Sequence, residues 1–124
     1  MNATKKILIV EDNEDLLHML SNTLRGEGFL VVETKDGLQG FKIAQEEHPD
    51  LILLDLDIPG IDGLTFLKKL RGDKKNKDTP VIIFSNSADI ENISEAMEQD
   101  VFCYLVKSDW ELNEVIGKVK EALK

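Results

Sequence analysis

The sequence predicts an α/β fold in which a five-stranded parallel sheet is covered by helices on both faces. Short apolar runs alternate with longer segments whose apolar residues recur at helical spacing, and this alternation continues from one end of the chain to the other. Apolar runs of this kind are typical of strands that are buried between two layers of helices. With 124 residues, of which 42% are hydrophobic, the chain has the size and composition of a single domain.

Five strands and five helices are expected in turn. The strands are placed on the apolar runs at 7–10, 30–32, 51–54, 81–84 and 103–106. The five helices follow from apolar residues three or four positions apart: Leu16, Leu17, Leu20 and Leu24; Leu38, Phe41 and Ala44; Leu64, Leu67 and Leu70; Ile90, Ile93 and Met97; and Leu112, Val115, Ile116, Val119 and Leu123. Gly26 and Gly28 mark the end of the first helix, and Pro49 marks the end of the second.

The charge of the chain argues against two classes of partner. Lys plus Arg number 15 and Asp plus Glu number 24, so the formal net charge of −9 repels nucleic-acid backbones and anionic lipid surfaces. No apolar stretch approaches the length of a bilayer span, and residues 1–6 lead into the first strand without a signal-peptide core. The single cysteine, Cys103, lies in an apolar run and favours a reducing compartment. We therefore expect a cytoplasmic protein with no direct nucleic-acid partner and no membrane insertion.

Four of the predicted strands end in residues suited to phosphoryl chemistry. The acid pair Glu11 and Asp12 follows the first strand, Asp55 follows the third, Ser85 the fourth and Lys107 the fifth. The carboxyl ends of parallel strands share an edge, where open α/β sheets bind their ligands, so these side chains are expected to converge. A carboxylate such as Asp55 can attack phosphorus when a divalent cation and a lysine neutralise the phosphoryl oxygens. The three carboxylates offer the oxygen ligands that Mg²⁺ prefers.

Five motifs in this order and spacing resemble the receiver domain of bacterial two-component response regulators. They are KILIVED at 6–12, DLILLD at 50–55, PGIDG at 59–63, PVIIFS at 80–85 and YLVK at 104–107, and the resemblance covers essentially the whole chain. It implies a CheY-like fold, which is a flavodoxin-like (βα)5 three-layer sandwich with strand order 2-1-3-4-5. It also implies that residues 1–124 form a single stand-alone receiver domain, which acts as a signalling switch rather than an enzyme.

The resemblance implies a role for each residue of the candidate site. Asp55 would be the phosphoacceptor in a Mg²⁺-dependent reaction, and Ser85 and Lys107 would contact the phosphoryl group. The metal ligands would be the carboxylates of Glu11, Asp12 and Asp55 with the backbone carbonyl of Asp57, and Mn²⁺ could replace Mg²⁺. Self-dephosphorylation would be the one hydrolytic activity of such a domain.

The resemblance also implies a conformational switch and a set of partners. Ser85 and Tyr104 would form the switch, which alters the surface of the fourth helix, the fifth strand and the fifth helix. A sensor histidine kinase or a phosphotransfer protein would supply the phosphoryl group, and an unknown downstream protein would read the surface. The sequence leaves open the identity of these partners, the oligomeric state, a homodimer linked to phosphorylation, and whether the natural gene is longer.

The chain departs from the family at positions beside the site. Asn86 stands where Ala or Gly is usual, and Asp57 adds a carboxylate next to the acceptor, so slowed or retuned dephosphorylation is expected. Ser108 replaces the usual proline after the lysine, which predicts a trans bond between Lys107 and Ser108. Ser108 and Glu111 have the spacing of a capping box, which predicts that Ser108 starts the fifth helix.

Two other functions fit part of the sequence. Residues 51–57 also resemble the nucleophile motif of haloacid-dehalogenase-type phosphatases, in which Asp55 would attack and Asp57 would serve as acid and base. However, Glu11 and Asp12 precede the nucleophile rather than follow the lysine, and Pro59 stands where Thr or Val is usual. The other alternative is a receiver that is never phosphorylated and acts as a constitutive adaptor, although the complete set of acid, serine and lysine residues favours phosphorylation.

Overall fold

The computed structural model describes residues 4–124, so the first three residues, which belong to the predicted lead-in to the first strand, lie outside the described residues. Strands and helices alternate as predicted. The elements are β1 (Lys6–Val10), α1 (Glu14–Gly26), β2 (Leu30–Thr34), α2 (Gly37–Glu47), β3 (Leu51–Leu54), α3 (Gly63–Gly72), β4 (Val81–Ser85), α4 (Ile90–Met97), β5 (Cys103–Val106), a 3-10 turn (Lys107–Asp109) and α5 (Leu112–Ala122). Within this described part, none of the helices combines the length and the apolar character that crossing a bilayer requires.

The five strands form one parallel sheet in the order β2-β1-β3-β4-β5, which confirms the predicted fold class and strand order. The register aligns the carboxyl ends of the strands. Val10 pairs with Leu54 across β1 and β3, and Ser85 pairs with Val106 across β4 and β5. The residues that follow these strands therefore leave the sheet at the same edge.

Two apolar layers hold the helices to the sheet. Alternate strand residues face opposite sides, so Leu8, Ile52 and Ile83 lie in one layer while Ile7, Leu53 and Ile82 lie in the other. The first layer receives residues from α2, α3 and α4: Ala44, Phe66, Leu67, Leu70 and Ala96. The second layer receives residues from α1 and α5: Leu17, Leu20, Leu24, Val115, Ile116 and Val119. All five helices are thus distributed over the two faces, as the sequence predicts.

Some apolar residues of the predicted helical stripes are not buried. Leu38 in α2 is 59% exposed, and in α4 the exposed fractions of Ile90 and Met97 are 80% and 46%. Ala96 is the one buried residue of α4, a helix of 8 residues. Of the predicted apolar stripe of α4, Ile90 and Met97 are exposed and Ile93 is half-buried.

The prediction that Ser108 starts the fifth helix is wrong. Residues Lys107–Asp109 form a 3-10 turn, and α5 begins later, at Leu112, with Glu111 as its N-cap. The N–H of Glu111 donates to the carboxylate of Glu114 at 2.9 Å, so the helix start is stabilised by a different pair of residues with the same spacing. The bond between Lys107 and Ser108 is trans, as expected.

Candidate functional site

The structure brings the polar residues that follow β1 and β3 together with the last residue of β4 and the first residue after β5. The ammonium Nζ of Lys107 lies 2.9 Å from Oδ2 of Asp55 and 2.8 Å from Oε1 of Glu11. The hydroxyl of Ser85 donates to Oδ1 of Asp55 at 2.9 Å. Oxygens from Glu11, Asp12 and Asp55 all lie within 4.8 Å of one another. A lysine and a serine therefore hold the carboxylate of Asp55 within a cluster of three acids.

The backbone fixes the two buried acids just beyond the ends of their strands. The N–H of Asp55 donates to the carbonyl of Val10 at 2.9 Å, and the N–H of Glu11 donates to the carbonyl of Thr34 at 3.0 Å. Each acid thus adds one further hydrogen bond to the parallel ladder. The carboxylate of Glu11 also accepts from the N–H of Asn13 at 2.9 Å. Because their main chains belong to the ladder, these carboxylates have well-defined positions.

Burial makes the charge of Lys107 essential to the cluster. Glu11 and Asp55 are 2% and 4% exposed, and a buried carboxylate is costly unless a cation or a hydrogen-bond donor compensates it. Burial, and then the charge of Asp55, raise the pKa of Glu11, although the bonds from Lys107 and Asn13 oppose this rise. Burial by itself would lower the pKa of Lys107, but its bonds to Asp55 and Glu11 outweigh that effect, so its pKa is raised. Lys107 is therefore charged at neutral pH.

The acid cluster fits a divalent cation. Its donors are carboxylate oxygens, which hard cations such as Mg²⁺ and Ca²⁺ prefer, and they converge from two adjacent loops. Asp12 is exposed, whereas Glu11 and Asp55 are buried, so the cluster opens to solvent on one side. Three carboxylates face the single ammonium of Lys107, and a bound cation would relieve the remaining repulsion among them. Glu11, Asp12 and Asp55 could therefore hold a divalent metal.

Asp57 contacts the acceptor through its backbone. Its N–H donates to Oδ1 of Asp55 at 3.0 Å, on the same oxygen that Ser85 contacts. Asp57 is exposed and lines a cavity of about 210 Å³ together with Leu56, Asp62, Leu64 and Asn92. Its main chain thus belongs to the environment of Asp55.

The loop after β4 connects the site to Tyr104. The phenol hydroxyl of Tyr104 donates to the carbonyl of Ser87 at 2.7 Å, and the Nδ2 of Asn92 donates to the hydroxyl of Ser87 at 3.0 Å. Ser87 was not predicted from the sequence. A second hydroxyl residue two positions after Ser85 was the available signal, but nothing in the pattern pointed to Asn92 on α4. Burial raises the pKa of Tyr104, so its hydroxyl keeps its proton at neutral pH and can donate this bond.

Comparison with known proteins agrees with the geometry. Residues 7–120 match the response regulator receiver domain family. The polar-differentiation response regulator DivK of Brucella ovis is 36% identical over 95 residues, which are 74% of this chain and 77% of DivK. A CheY-like receiver domain protein from Methanospirillum hungatei superposes with a TM-score of 0.90 at 26% identity, covering 98% of this chain and 94% of the other.

A third similar protein was solved in a modified state. The phosphorylated cyanobacterial phytochrome response regulator RcpA superposes with a TM-score of 0.81 at 31% identity, covering 96% of this chain and 91% of RcpA. The matched sequence, the strand order 2-1-3-4-5 and the acidic pocket at the carboxyl edge of the sheet all support the same family. This chain belongs to the response regulator receiver domain family of two-component signalling systems.

Proposed function

We propose that this chain is a phosphoacceptor switch in which Asp55 receives a phosphoryl group from a histidine kinase or a phosphotransfer protein. The observation that carries the proposal is the environment of the Asp55 carboxylate. It is 4% exposed, it accepts from Lys107, Ser85 and the N–H of Asp57, and it lies beside two further acids. Receiver domains are signalling proteins that interact with kinases or phosphotransfer proteins and with downstream effectors.

The proposed chemistry requires an oriented carboxylate and compensation of negative charge. A carboxylate oxygen of Asp55 attacks the phosphorus of a phosphohistidine, the bond between phosphorus and nitrogen breaks, and its electron pair returns to the imidazole. Lys107 then turns from the carboxylate to a phosphoryl oxygen, which is a short movement because its ammonium lies 2.9 Å from the acceptor. The hydroxyl of Ser85 is free to donate to the same group once the Oδ1 charge of Asp55 is lost.

Mg²⁺ is the proposed metal, and Mn²⁺ is its expected substitute. The carboxylates of Glu11, Asp12 and Asp55 would hold it together with the backbone carbonyl of Asp57. The metal would neutralise charge on the phosphoryl oxygens. Support for this assignment comes from the purely oxygen donor set and from the excess of carboxylates over ammonium groups in the pocket.

The proposed readout is the surface of α4, β5 and α5. Phosphorylation draws Ser85 toward the phosphoryl group and favours the inward position of Tyr104. In the structure the hydroxyl of Tyr104 donates to the carbonyl of Ser87, two residues after Ser85, so a shift of Ser85 acts on the contact that Tyr104 makes. Large apolar side chains are exposed on or beside this surface, with exposed fractions of 80% for Ile90, 46% for Met97 and 45% for Phe102. A downstream protein could bury them. We propose that residues 1–124 act as one receiver domain in the cytoplasm.

Intact mass spectrometry after incubation with Mg²⁺ and acetyl phosphate tests the proposal. One added phosphoryl group is expected on the wild-type protein and none on Asp55→Asn or on protein treated with a chelator. Asp78→Asn is a matched control, because that aspartate is exposed and lies outside the acid cluster, so the variant should retain the adduct. Absence of an adduct on the wild-type protein would favour the adaptor function. Rapid hydrolysis of acetyl phosphate without an adduct, if Asp57→Asn abolishes it, would instead favour the phosphatase function.

A further inference from the structure

Two helices that flank the β3–α3 loop begin with the same dipeptide. Helix α2 is capped by Asp36 and starts at Gly37, while α3 is capped by Asp62 and starts at Gly63. In both, the aspartate side chain accepts from the backbone N–H three residues later, at 2.9 Å in α2 and 2.8 Å in α3. Each cap leaves the N–H of the following glycine available, because the first amides of a helix have no partner within it.

Both glycines donate to the loop that carries Asp57. The N–H of Gly63 donates to the carbonyl of Leu56 at 2.9 Å, and the N–H of Gly37 donates to the carbonyl of Pro59 at 3.0 Å. These two carbonyls lie one residue before and two residues after Asp57. The part of the loop that presents Asp57 to Asp55 is therefore held on both sides by the N-terminus of a helix.

The approach of the loop to these helix starts leaves no room for a side chain. A Cβ atom on Gly37 would lie 2.3 Å from the carbonyl oxygen of Ile61, and one on Gly63 would lie 2.5 Å from the Cα of Leu56. Both obstacles are backbone atoms, so a methyl group at either position must displace the loop itself. Gly40, one turn further along α2, differs in this respect. Its nearest neighbours are the side chains of Val10, Phe66 and Thr34, at 3.1 to 3.4 Å.

We propose that Gly37 and Gly63 are positioning residues that clamp the β3–α3 loop and thereby hold the backbone of Asp57 beside Asp55. Gly37 is the less expected member, since α2 contributes no side chain to the cluster of Glu11, Asp12 and Asp55. The clamp makes the geometry of the acidic pocket depend on a helix outside the pocket. This inference rests on the proposed function, in which the carbonyl of Asp57 is a metal contact.

The test compares Gly37→Ala with Gly40→Ala, which is the same substitution in the same helix. Amide hydrogen exchange at Asp57 is measured by NMR in metal-free protein, Mg²⁺ affinity by calorimetry, and stability by urea unfolding. Gly37→Ala should speed the exchange of the Asp57 amide and weaken Mg²⁺ binding by about 10- to 100-fold, the usual effect of losing support for a metal ligand. Gly40→Ala crowds the core and lowers stability, but it should leave the exchange and the affinity at wild-type values.

Wild-type exchange and affinity in Gly37→Ala would overturn the clamp, and so would equal changes in the two variants. If Gly37→Ala does not fold, Asp36→Ala replaces it. That change removes the cap of α2 and the carboxylate that fills the space beside Gly60, so it should speed Asp57 exchange in the same direction. Unchanged exchange in Asp36→Ala would also overturn the clamp. A wild-type protein that binds no Mg²⁺ refutes the proposed function, and the metal-free exchange comparison then still decides for or against the clamp.

Discussion

Replacing Lys107 with Met should destabilise the metal-free protein through its charge rather than its packing. The ammonium is the cation closest to two carboxylates, at 2.8 Å from Glu11 and 2.9 Å from Asp55, and those side chains are only 2% and 5% exposed. Methionine keeps most of the apolar stem, while the ammonium that it lacks lies 6.0 Å from the centroid of the Phe84 ring. The substitution therefore removes the compensating charge while changing the volume of the pocket little.

The size of the effect follows from the carboxylates that remain. Their oxygens lie within 4.8 Å of each other, where two like charges repel by about 3.5 kcal/mol at an effective dielectric constant of 20. Uptake of a proton by one acid limits the cost, so we expect a loss of about 3 kcal/mol at pH 7. Because that acid binds its proton more tightly in the folded state, the stability of the variant should fall as pH rises through neutrality and recover as pH is lowered.

Urea unfolding at pH 7 and pH 5, with and without Mg²⁺, measures the effect. The deficit of Lys107→Met relative to wild type should shrink at pH 5 and when Mg²⁺ is added, since either a proton or a cation replaces the lost charge. Lys35→Met is the control, because its ammonium pairs with Glu14 at the exposed surface and should matter little. A deficit of the same size under all four conditions would refute the electrostatic reasoning.

Three further predictions concern other contacts. Arg71→Met should lower the free energy of unfolding by about 3 kcal/mol, because it removes the guanidinium donors from four backbone carbonyls, and a loss below about 1 kcal/mol would contradict this. The carbonyls are those of Asn76, Thr79, Gln99 and Asp100. Asn86→Ala should shorten the lifetime of the phosphorylated protein several-fold in a phosphate-release assay, and equal lifetimes would count against the predicted slowing. The raised pKa of Lys107 contributes stability below its ordinary pKa of 10.5, and this is lost as pH rises through the higher folded value. Above pH 10.5 the urea midpoint should therefore fall more steeply for wild type than for Lys107→Met, and parallel profiles would be the contrary result.

The sheet and the location of the site could be predicted from the sequence because both depend on strand ends. Four of the apolar runs end at a polar residue of the site, and parallel strands bring those ends to one edge. The errors in the strand bounds are small: β1 begins at Lys6, β2 continues to Thr34 and β4 includes Ser85. These residues are polar, but they still take part in the parallel ladder, which a hydrophobic pattern does not reveal.

Contacts that depend on loop geometry could not be predicted. The spacing of Ser108 and Glu111 fits a helix start, but the chain first forms a 3-10 turn at the point where Lys107 reaches Glu11 and Asp55. Likewise, the periodicity of α4 marks Ile90 as apolar but does not say whether another element covers it. The two helix starts at Gly37 and Gly63 appear in the sequence as ordinary turn residues, and only the structure shows which carbonyls they hold.

The contacts around Asp55 suggest how phosphorylation could change the position of α4 without a large rearrangement. In the proposed function, phosphorylation converts the Asp55 carboxylate into an acyl phosphate, which removes the charge that now holds Lys107 and Ser85 and places the new charge on the phosphoryl oxygens. Ser85 is two residues from Ser87, whose carbonyl accepts from Tyr104 and whose hydroxyl accepts from Asn92 on α4. In that function, a shift of the Ser85 backbone toward the phosphoryl group would strain the bonds at Ser87 unless Tyr104 and α4 move with it. Because Ala96 is the one buried residue of α4, moving this helix would disturb little of the core, which fits its place in the proposed switch.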